Sequence, residues 1–357
     1  MSAEGVDGAA LSKGAEPVKS VGLGWAAILG LGLSAALVLY LFTHLDLRAV
    51  LGAVGRAHPL WLGGATLAYV ALFPVRGLRW AVLLKPLAPV SAGLATRGFL
   101  IGFMANNLLP ARLGDLVRAF VLARKAQVPS PASFATVMLE RVFDGVTVVG
   151  ILSLSLAVLE LDNPTRAAQL HGIALLMGLA FGMVLVGCVG LAIWERPTLA
   201  LVRWGLTPCP EGLRTKLLGL FERLAAGLHA LRSAKEAAQV ALLSLTVWGL
   251  EVVVYVGVAH ALDLEVGPMG LALVMAILTL GLTAPSAPGF VGVFEALVIP
   301  ALTLLGVAEE PAAAFALLLH AIHYLPGTVL GLVAAWTTGV DLRDLSPTRL
   351  VQRARAS

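Results

Sequence analysis

The feature that most constrains this chain is a set of long stretches without any charged residue. No Asp, Glu, Lys or Arg occurs from Val21 to Thr43, from His171 to Trp194, or from Val266 to Phe294. A helix needs about 20 apolar residues to cross roughly 30 Å of hydrocarbon, whereas apolar runs in soluble cores are about 10–14 residues long. Because the backbone must satisfy its own hydrogen bonds in lipid, the pattern predicts an all-α, polytopic transmembrane helical bundle.

Composition agrees with a membrane protein. Of 357 residues, 59% are hydrophobic and 13% are charged, whereas soluble domains carry about 25% charged residues. The net charge of +4 is interpreted as loop charge facing anionic lipid headgroups, since no basic stripe with interleaved aromatic residues suggests nucleic acid. The two cysteines predict neither a disulfide framework nor a metal site, and we expect no cofactor.

Hydropathy predicts six complete spans and two interrupted regions. The complete spans lie at about 22–43, 60–84, 134–159, 171–194, 237–261 and 312–338. Shorter apolar segments at 94–109 and 268–284 are each followed by a Pro/Gly-rich break and a further helix, at 114–125 and 291–308. We expect these two regions to form broken or re-entrant hairpins.

The loop charges predict orientation and domain organisation. Basic residues concentrate in the loop 195–236 and in the tail 339–357, and short basic loops face the cytoplasm. We therefore expect a cytoplasmic polar N-terminus (1–21), one transmembrane domain (22–338) and a cytoplasmic tail, in the cell (plasma or inner) membrane. Apolar residues at helical spacing from Arg214 to Lys235 predict either an amphipathic helix on the membrane surface or a plain connecting helix.

The two interrupted regions resemble each other. The residues that break them are Pro110, Gly114, Pro285, Pro288, Gly289 and Gly292. A carboxylate follows each break, Asp115 in the first and Glu295 in the second, and a second proline follows some twenty residues later. Nine positions after that proline stands Glu140 in one half and His320 in the other. The pattern predicts an inverted-topology repeat, as in secondary transporters; chance similarity of two Pro/Gly-rich stretches is the alternative.

Charge inside a membrane segment is costly and therefore suggests function. The charged residues of the first half that we take as substrate-binding candidates are Arg76, Arg79, Arg112, Asp115, Arg118, Glu140, Arg141 and Asp144. Arginines beside helix N-termini at a break suit an anion, most naturally the phosphate of a lipid headgroup. Internal ion pairs of Arg112 with Asp115 and of Arg141 with Asp144 are an alternative, as is snorkelling of Arg76 and Arg79 to the interface.

The second half carries Glu251, Glu295, His320 and His323 within its apolar segments. Glu295 is a further substrate-binding candidate. Glu251 is interpreted either as a neutral acid in a hydrogen bond or as part of a proton relay. The two histidines could bind a metal, although no third ligand is evident, or form a hydrogen-bonded core pair.

Recognisable catalytic motifs are missing from the sequence. It contains no P-loop, no H-E-x-x-H and no nucleophile elbow, so neither ATP hydrolysis nor enzyme activity is expected. Any energy source would be an ion gradient, and the alternative is that there is none.

Parts of the sequence resemble the lysylphosphatidylglycerol synthase transmembrane family, also called the flippase-like family. The resemblance rests on Asn107–Arg118, Leu139–Gly145 and Pro285–Glu295, and it extends over roughly residues 25–338. It implies movement of lipids or lipid-linked molecules between leaflets, and it adds Asn107 to the substrate-binding candidates. After Trp336 only a short basic tail follows, so the soluble aminoacyl-transferase domain of the synthase is absent and we expect no lysyl transfer.

These observations lead to one principal hypothesis and two alternatives. The principal hypothesis is a lipid translocase for an anionic phospholipid or polyprenyl-linked lipid. In it Arg112, Arg118 and Arg141 contact phosphate, and nearby carboxylates orient them or exchange protons. One alternative is a non-transporting membrane partner of a glycosyltransferase or lipid-modifying enzyme, docked through the helix at 214–235 and the tail. The other is an intramembrane lipid-modifying enzyme.

Overall fold

The computed structural model describes residues 25–109, 113–160, 164–282 and 287–340. Within these ranges the chain forms α-helices, two short 3₁₀ turns and no β-strand, which confirms the all-α fold. The helices are α1 Trp25–His44, α2 Leu47–Arg56, α3 Pro59–Leu84, α4 Ala92–Leu108, α5 Gly114–Ala126, α6 Ser130–Val158, α7 Pro164–Ile193, α8 Glu195–Gly205, α9 Glu211–Gly227, α10 Ala234–Ala261, α11 Pro268–Gly281, α12 Val293–Thr303 and α13 Glu309–Thr337.

Five of the described helices are long and apolar enough to cross a membrane: α3, α6, α7, α10 and α13. They match five of the six predicted spans, and the sixth coincides with α1, which contains the apolar stretch Leu31–Tyr40. Helix α7 carries apolar side chains on the outer surface of the bundle; Met183 and Val186 are 69% and 72% exposed. Contiguous apolar surface of this kind needs a lipid environment. The chain is therefore a multi-pass membrane protein.

Both interrupted regions consist of two short helices, as the sequence predicts. In the first region α4 and α5 approach so closely that a Cβ on Gly114 would overlap the carbonyl of Gly102. In the second region Gly289 and Gly292 have φ of 71° and 84°, a left-handed conformation that glycine adopts without strain. Whether each hairpin crosses the membrane or re-enters stays a prediction.

The polar loop between α7 and α10 differs from the expected single helix at 214–235. Helix α9 ends at Gly227, and Ser233 caps α10 by accepting a hydrogen bond from the Glu236 amide at 3.3 Å, so the expected C-terminal end is wrong. Gly227 lies against Ala135 of α6, where a Cβ would have no room. The end of α9 therefore packs on the bundle, which favours the connecting-helix alternative.

The packing of the two halves brings both breaks to one place. Helix α3 packs against α10, α4 packs against α13, and α11 packs against α6. Asn107, at the end of α4, donates a hydrogen bond to Thr328 Oγ1 of α13 at 2.9 Å, and Gly289 of the second break lies beside the Asn107 carbonyl. The short helix before each break therefore packs on the long helix of the other half: α4 on α13, and α11 on α6. The inverted orientation of the repeat stays a prediction.

The close packing of α4 on α13 predicts a difference between two glycines. A Cβ on Gly331 of α13 would lie 2.4 Å from Met104 Cβ and 2.6 Å from the Leu100 carbonyl, whereas Gly150 of α6 has open space around it. Small residues allow helix backbones in membranes to approach closely. We expect Gly331→Val to lower the unfolding free energy by about 1–3 kcal/mol through overpacking, and Gly150→Val to have a smaller effect. Thermal melts of both variants in the same detergent test this, and equal melting temperatures would contradict it.

Candidate functional site

A cavity of about 370 Å³ lies where the two breaks meet. Helices α3, α4, α5, α6, α7, α10, α11, α12 and α13 and the second break contribute to its wall. The polar lining residues are Arg76, Asn106, Asn107, Asp115, Arg141, Asp144, Thr279, Glu251, His320, His323 and the hydroxyls of Tyr255 and Tyr324. Phe99, Phe103, Phe181, Trp248, Phe290 and Phe294 supply aromatic surface. The volume is in the range of small-ligand pockets, so a lipid headgroup fits but a whole lipid does not.

Like Arg118, Arg79 is a deeply buried cation of the site, with 1% of its surface exposed. Its guanidinium donates to both carboxylate oxygens of Asp144, at 2.6 and 3.2 Å, and to Ser244 Oγ at 2.9 Å. It also lies 3.0 Å from Glu140 Oε1. Trp248 donates its indole N–H to Asp144 at 3.0 Å. Helices α3, α6 and α10 are therefore joined by one buried cation.

Two further arginines extend this network to α5. Arg118 donates to Glu140 at 3.1 Å and to Asp115 at 3.1 Å. Arg141 donates to Asp115 at 3.0 Å, and its guanidinium lies 3.5 Å from Asp144. These contacts close a ring in which arginines and carboxylates alternate. We call it the charge ring; its members are Arg79, Glu140, Arg118, Asp115, Arg141 and Asp144.

Helical spacing explains how the ring forms. Glu140 and Asp144 are four residues apart on α6, and Asp115 and Arg118 are three apart on α5, so each pair shares one helix face. With three cations and three anions the ring is formally neutral, which limits the cost of burying charge in a membrane. The Arg118 guanidinium also lies 5.1 Å from the centre of the Phe99 ring, a cation–π contact that helps to stabilise the buried charge.

A second charged group also lines the cavity. Arg76 of α3 donates to Glu251 Oε2 of α10 at 3.1 Å, and His323 Nε2 of α13 lies 2.5 Å from Glu251 Oε1. Tyr69 donates its hydroxyl to the His323 carbonyl at 3.1 Å. We call Arg76, Glu251 and His323 the cavity triad.

The remaining Glu–His pair belongs to the second break. Glu295 Oε1 lies 2.6 Å from His320 Nδ1, and Glu295 Oε2 accepts the backbone N–H of Gly292 at 2.8 Å. His320 Nε2 lies 2.7 Å from the Gly289 carbonyl, and its ring stacks on Phe294 at 4.3 Å. The pair therefore holds the irregular backbone between α11 and α12 against α13. Within the described part of the chain, no three His, Cys, Asp or Glu residues come together as a metal site.

The structure separates the sequence candidates into three groups. Arg76, Asn107, Asp115, Arg141 and Asp144 line the cavity. Arg79, Arg118, Glu140 and Glu295 are buried behind its wall. Arg112, Pro110 and Pro285 lie outside the described residues.

Two of the alternatives left open by the sequence can be compared with these positions. Arg76 and Arg79 do not snorkel to the interface, because both side chains are paired with carboxylates inside the bundle. Arg141 contacts Asp144, as the internal ion-pair alternative proposed, but its shorter contact is with Asp115. With 42% of its side chain exposed, Arg141 is the most accessible member of the charge ring.

Sequence reasoning missed several residues of the site. Asn106 accepts the backbone N–H of Gly114 at 2.8 Å and so fixes the start of α5. Trp248 and Phe99 carry no charge, so nothing distinguished them from other apolar positions in the spans. Asn106 could have been identified from the sequence, because it is a polar residue directly before Asn107 in the first motif.

The charge ring predicts a large cost for removing one carboxylate. Glu140→Gln leaves Arg79 and Arg118 undercompensated, and breaking a buried pair in this way costs about 3–5 kcal/mol of stability. Adding Arg118→Met to Glu140→Gln is expected to recover part of the loss, because it restores neutrality. The measurement is chemical unfolding in detergent.

A surface pair provides the matched control for this prediction. Glu236 accepts from Lys85 at 3.0 Å, and the Lys85 side chain is 68% exposed. We expect Glu236→Gln to change stability by no more than about 1 kcal/mol. Equal losses for Glu140→Gln and Glu236→Gln would show that the ring has no special role in stability.

Comparison with known proteins gives two matches. The model of the family described as "Lysylphosphatidylglycerol synthase TM region" matches residues 27–331. The chain is also 29% identical, over 346 residues, to "Glycosyltransferase AglD" of Haloferax volcanii. That match covers 88% of this chain and 55% of the relative, so the chain spans about half the length of the relative. Since the family model spans most of the sequence, the chain belongs to the lysylphosphatidylglycerol synthase transmembrane-region family.

Proposed function

We propose that this protein moves an anionic phospholipid or a lipid-linked precursor between the leaflets of the cell membrane, without ATP hydrolysis and without being an enzyme. The observation that carries the proposal is the cavity at the meeting point of the two breaks, with Arg76 and Arg141 in its lining. Guanidinium groups bind phosphate in a fixed, bidentate geometry. Aromatic and aliphatic walls beside them suit the glycerol, sugar or isoprenoid carbons next to that phosphate.

The exposure of the arginines indicates which of them would bind. Arg141 has 42% of its side chain exposed and a loose 3.5 Å contact with Asp144, so an arriving phosphate can replace that contact at low cost. Arg79 and Arg118 are at most 2% exposed, and each contacts two carboxylates. In this proposal Arg141 and Arg76 bind phosphate, and the buried members of the charge ring hold Arg141 in place.

Two interrupted helices at one cavity support transport rather than simple lipid binding. Secondary transporters place substrate sites where broken helices of two repeats meet, and they alternate access around that site. Helix α4 packs on α13 and α11 packs on α6, and in this proposal one half rocks against the other at these contacts. In this proposal both termini are cytoplasmic and the headgroup enters the cavity while the lipid tails stay in the bilayer.

A second candidate follows from the similarity to a protein named as a glycosyltransferase. This chain covers 55% of that relative, so a region of this kind can occur in one polypeptide with further sequence. In the second candidate the protein is a non-transporting membrane partner of a glycosyltransferase or lipid-modifying enzyme, and the cavity only holds the lipid for that enzyme.

Leaflet exchange in liposomes that contain only this protein tests the first candidate. The fluorescent probes are phosphatidylglycerol, its aminoacylated form and a polyprenyl glycosyl phosphate. We expect wild type to exchange at least one of them, and Arg141→Gln to slow the exchange by about ten- to a hundredfold, since a charge-assisted hydrogen bond contributes about 1.5–3 kcal/mol. Exchange is followed by chemical quenching of the outer-leaflet fluorophore.

An arginine away from the cavity supplies the control. Arg97 lies on the exposed face of α4, so Arg97→Gln is expected to exchange lipid at the wild-type rate. Thermal melts of both variants confirm that they are folded. No exchange of any probe by the folded wild type would contradict a translocase and favour the second candidate.

A further inference from the structure

Both ring nitrogens of His323 face groups that can only accept hydrogen bonds. Nδ1 lies 2.8 Å from the Leu319 carbonyl, and Nε2 lies 2.5 Å from Glu251 Oε1. A neutral imidazole has one N–H, whereas these contacts require two, or else a proton on the carboxyl group. Both contacts can therefore be made together only when Glu251 and His323 hold one proton more than a neutral imidazole beside a carboxylate.

That proton determines the charge that the triad presents to the cavity. Arg76 occupies the second oxygen of Glu251 at 3.1 Å, and all three side chains line the cavity. With the proton the triad carries a net charge of +1, and without it the triad is neutral. Arg76 Nε is buried with no hydrogen-bond partner among the described residues, so the guanidinium has unused donor capacity beside the cavity.

The groups around His323 leave this positive charge available to a ligand. From α3 the Tyr69 ring lies at 4.6 Å, and from α10 the Tyr255 ring lies edge-on at 6.1 Å; both are neutral phenols. From α6 the nearest charge is Asp144, which Arg79 engages with both oxygens. On α13 the nearest other titratable groups are Tyr324, which also lines the cavity, and His320, which is paired with Glu295 of α12; from α12 Phe294 is apolar.

We propose that the cavity triad is a proton-binding site coupled to the anionic headgroup, so that one proton accompanies each phosphodiester lipid into the cavity. This inference rests on the proposed function. The headgroup phosphate bonds to Arg76, and the proton keeps Glu251 bound to His323. Because the positive charge of the proton favours the anion and the anion favours the proton, each raises the affinity for the other by the same factor.

The other Glu–His pair does not fit this role. His320 and Glu295 also share one proton, but their remaining polar atoms hold the backbone of Gly289 and Gly292. With its proton that pair is neutral, so it adds no positive charge to the cavity. We assign it to holding the second break.

Calorimetry can count the protons directly. The full chain is placed in nanodiscs of phosphatidylcholine and titrated with phosphatidylglycerol or with a polyprenyl glycosyl phosphate. Both probes are phosphodiesters with one negative charge throughout pH 5–9. Repeating the titration in buffers of different ionisation enthalpy gives the number of protons taken up per lipid bound. We expect a maximum of about one proton in that pH range, and a dissociation constant that rises up to tenfold per pH unit.

Matched histidine variants separate the triad from other sources of proton uptake. His323→Gln is expected to bind lipid more weakly and to take up no proton. His260 stacks on Trp61 at the end of α10, outside the cavity, so His260→Gln is expected to behave as wild type. If His323→Gln does not fold, Glu251→Gln provides the same test, because it removes the carboxylate that shares the proton.

The outcomes distinguish this inference from the proposed function. Lipid binding without proton uptake by wild type, or equal uptake by His323→Gln, would overturn the coupling and leave the proposed function intact. If neither probe binds to the folded wild type, the proposed anionic-lipid function fails, and the inference fails with it.

Discussion

The structure depends on the alternating ring of three arginines and three carboxylates between α3, α5 and α6. A charge in hydrocarbon is costly unless it is paired and hydrogen-bonded. Arg79 and Arg118 are tolerated at 1% exposure because each contacts two carboxylates. The same contacts fix where the short helix α5 sits between its longer neighbours. Since α5 follows the first break, the ring also fixes one side of the cavity.

Because the charges of the ring largely compensate each other, little charge is left to bind a ligand. The members of the ring also have unequal roles. Arg79 and Arg118 are buried by their partners, while Arg141 is held by Asp115 on one side and reaches the cavity on the other. The cavity triad is different, because in the proposed coupling Arg76 and Glu251 are charged and a proton shared with His323 sets the net charge. In the proposed function, the neutral ring beside the triad supplies one phosphate contact, through Arg141, and the triad supplies a second one that responds to protonation.

Local spacing made part of this arrangement predictable. Hydropathy located the spans, and the i, i+3 and i, i+4 spacings indicated which charges share a helix face. The sequence could not show that Arg76 pairs with Glu251, because the partners are 175 residues apart and only tertiary packing joins them. It also could not rank the arginines by exposure, which is why Arg118 was expected to contact phosphate. The end of α9 was missed because the apolar spacing continues past Gly227, where the chain changes to a 3₁₀ turn at His229–Arg232 before Ser233 caps α10.

In each half a buried acid–base pair joins the short helix after the break to the long helix that follows, with the acid and the base exchanged between the two helices. In the first half Arg118 on the short helix α5 pairs with Glu140 on the long helix α6. In the second half the acid is on the short helix α12, as Glu295, and the base is on the long helix α13, as His320. Each half thus needs one buried ionic pair to hold the short helix after its break. Arginine keeps its charge at any physiological pH, whereas histidine exchanges its proton in that range. If one half moves against the other during transport, the half that contains the histidines is therefore the one whose internal contacts can respond to protonation.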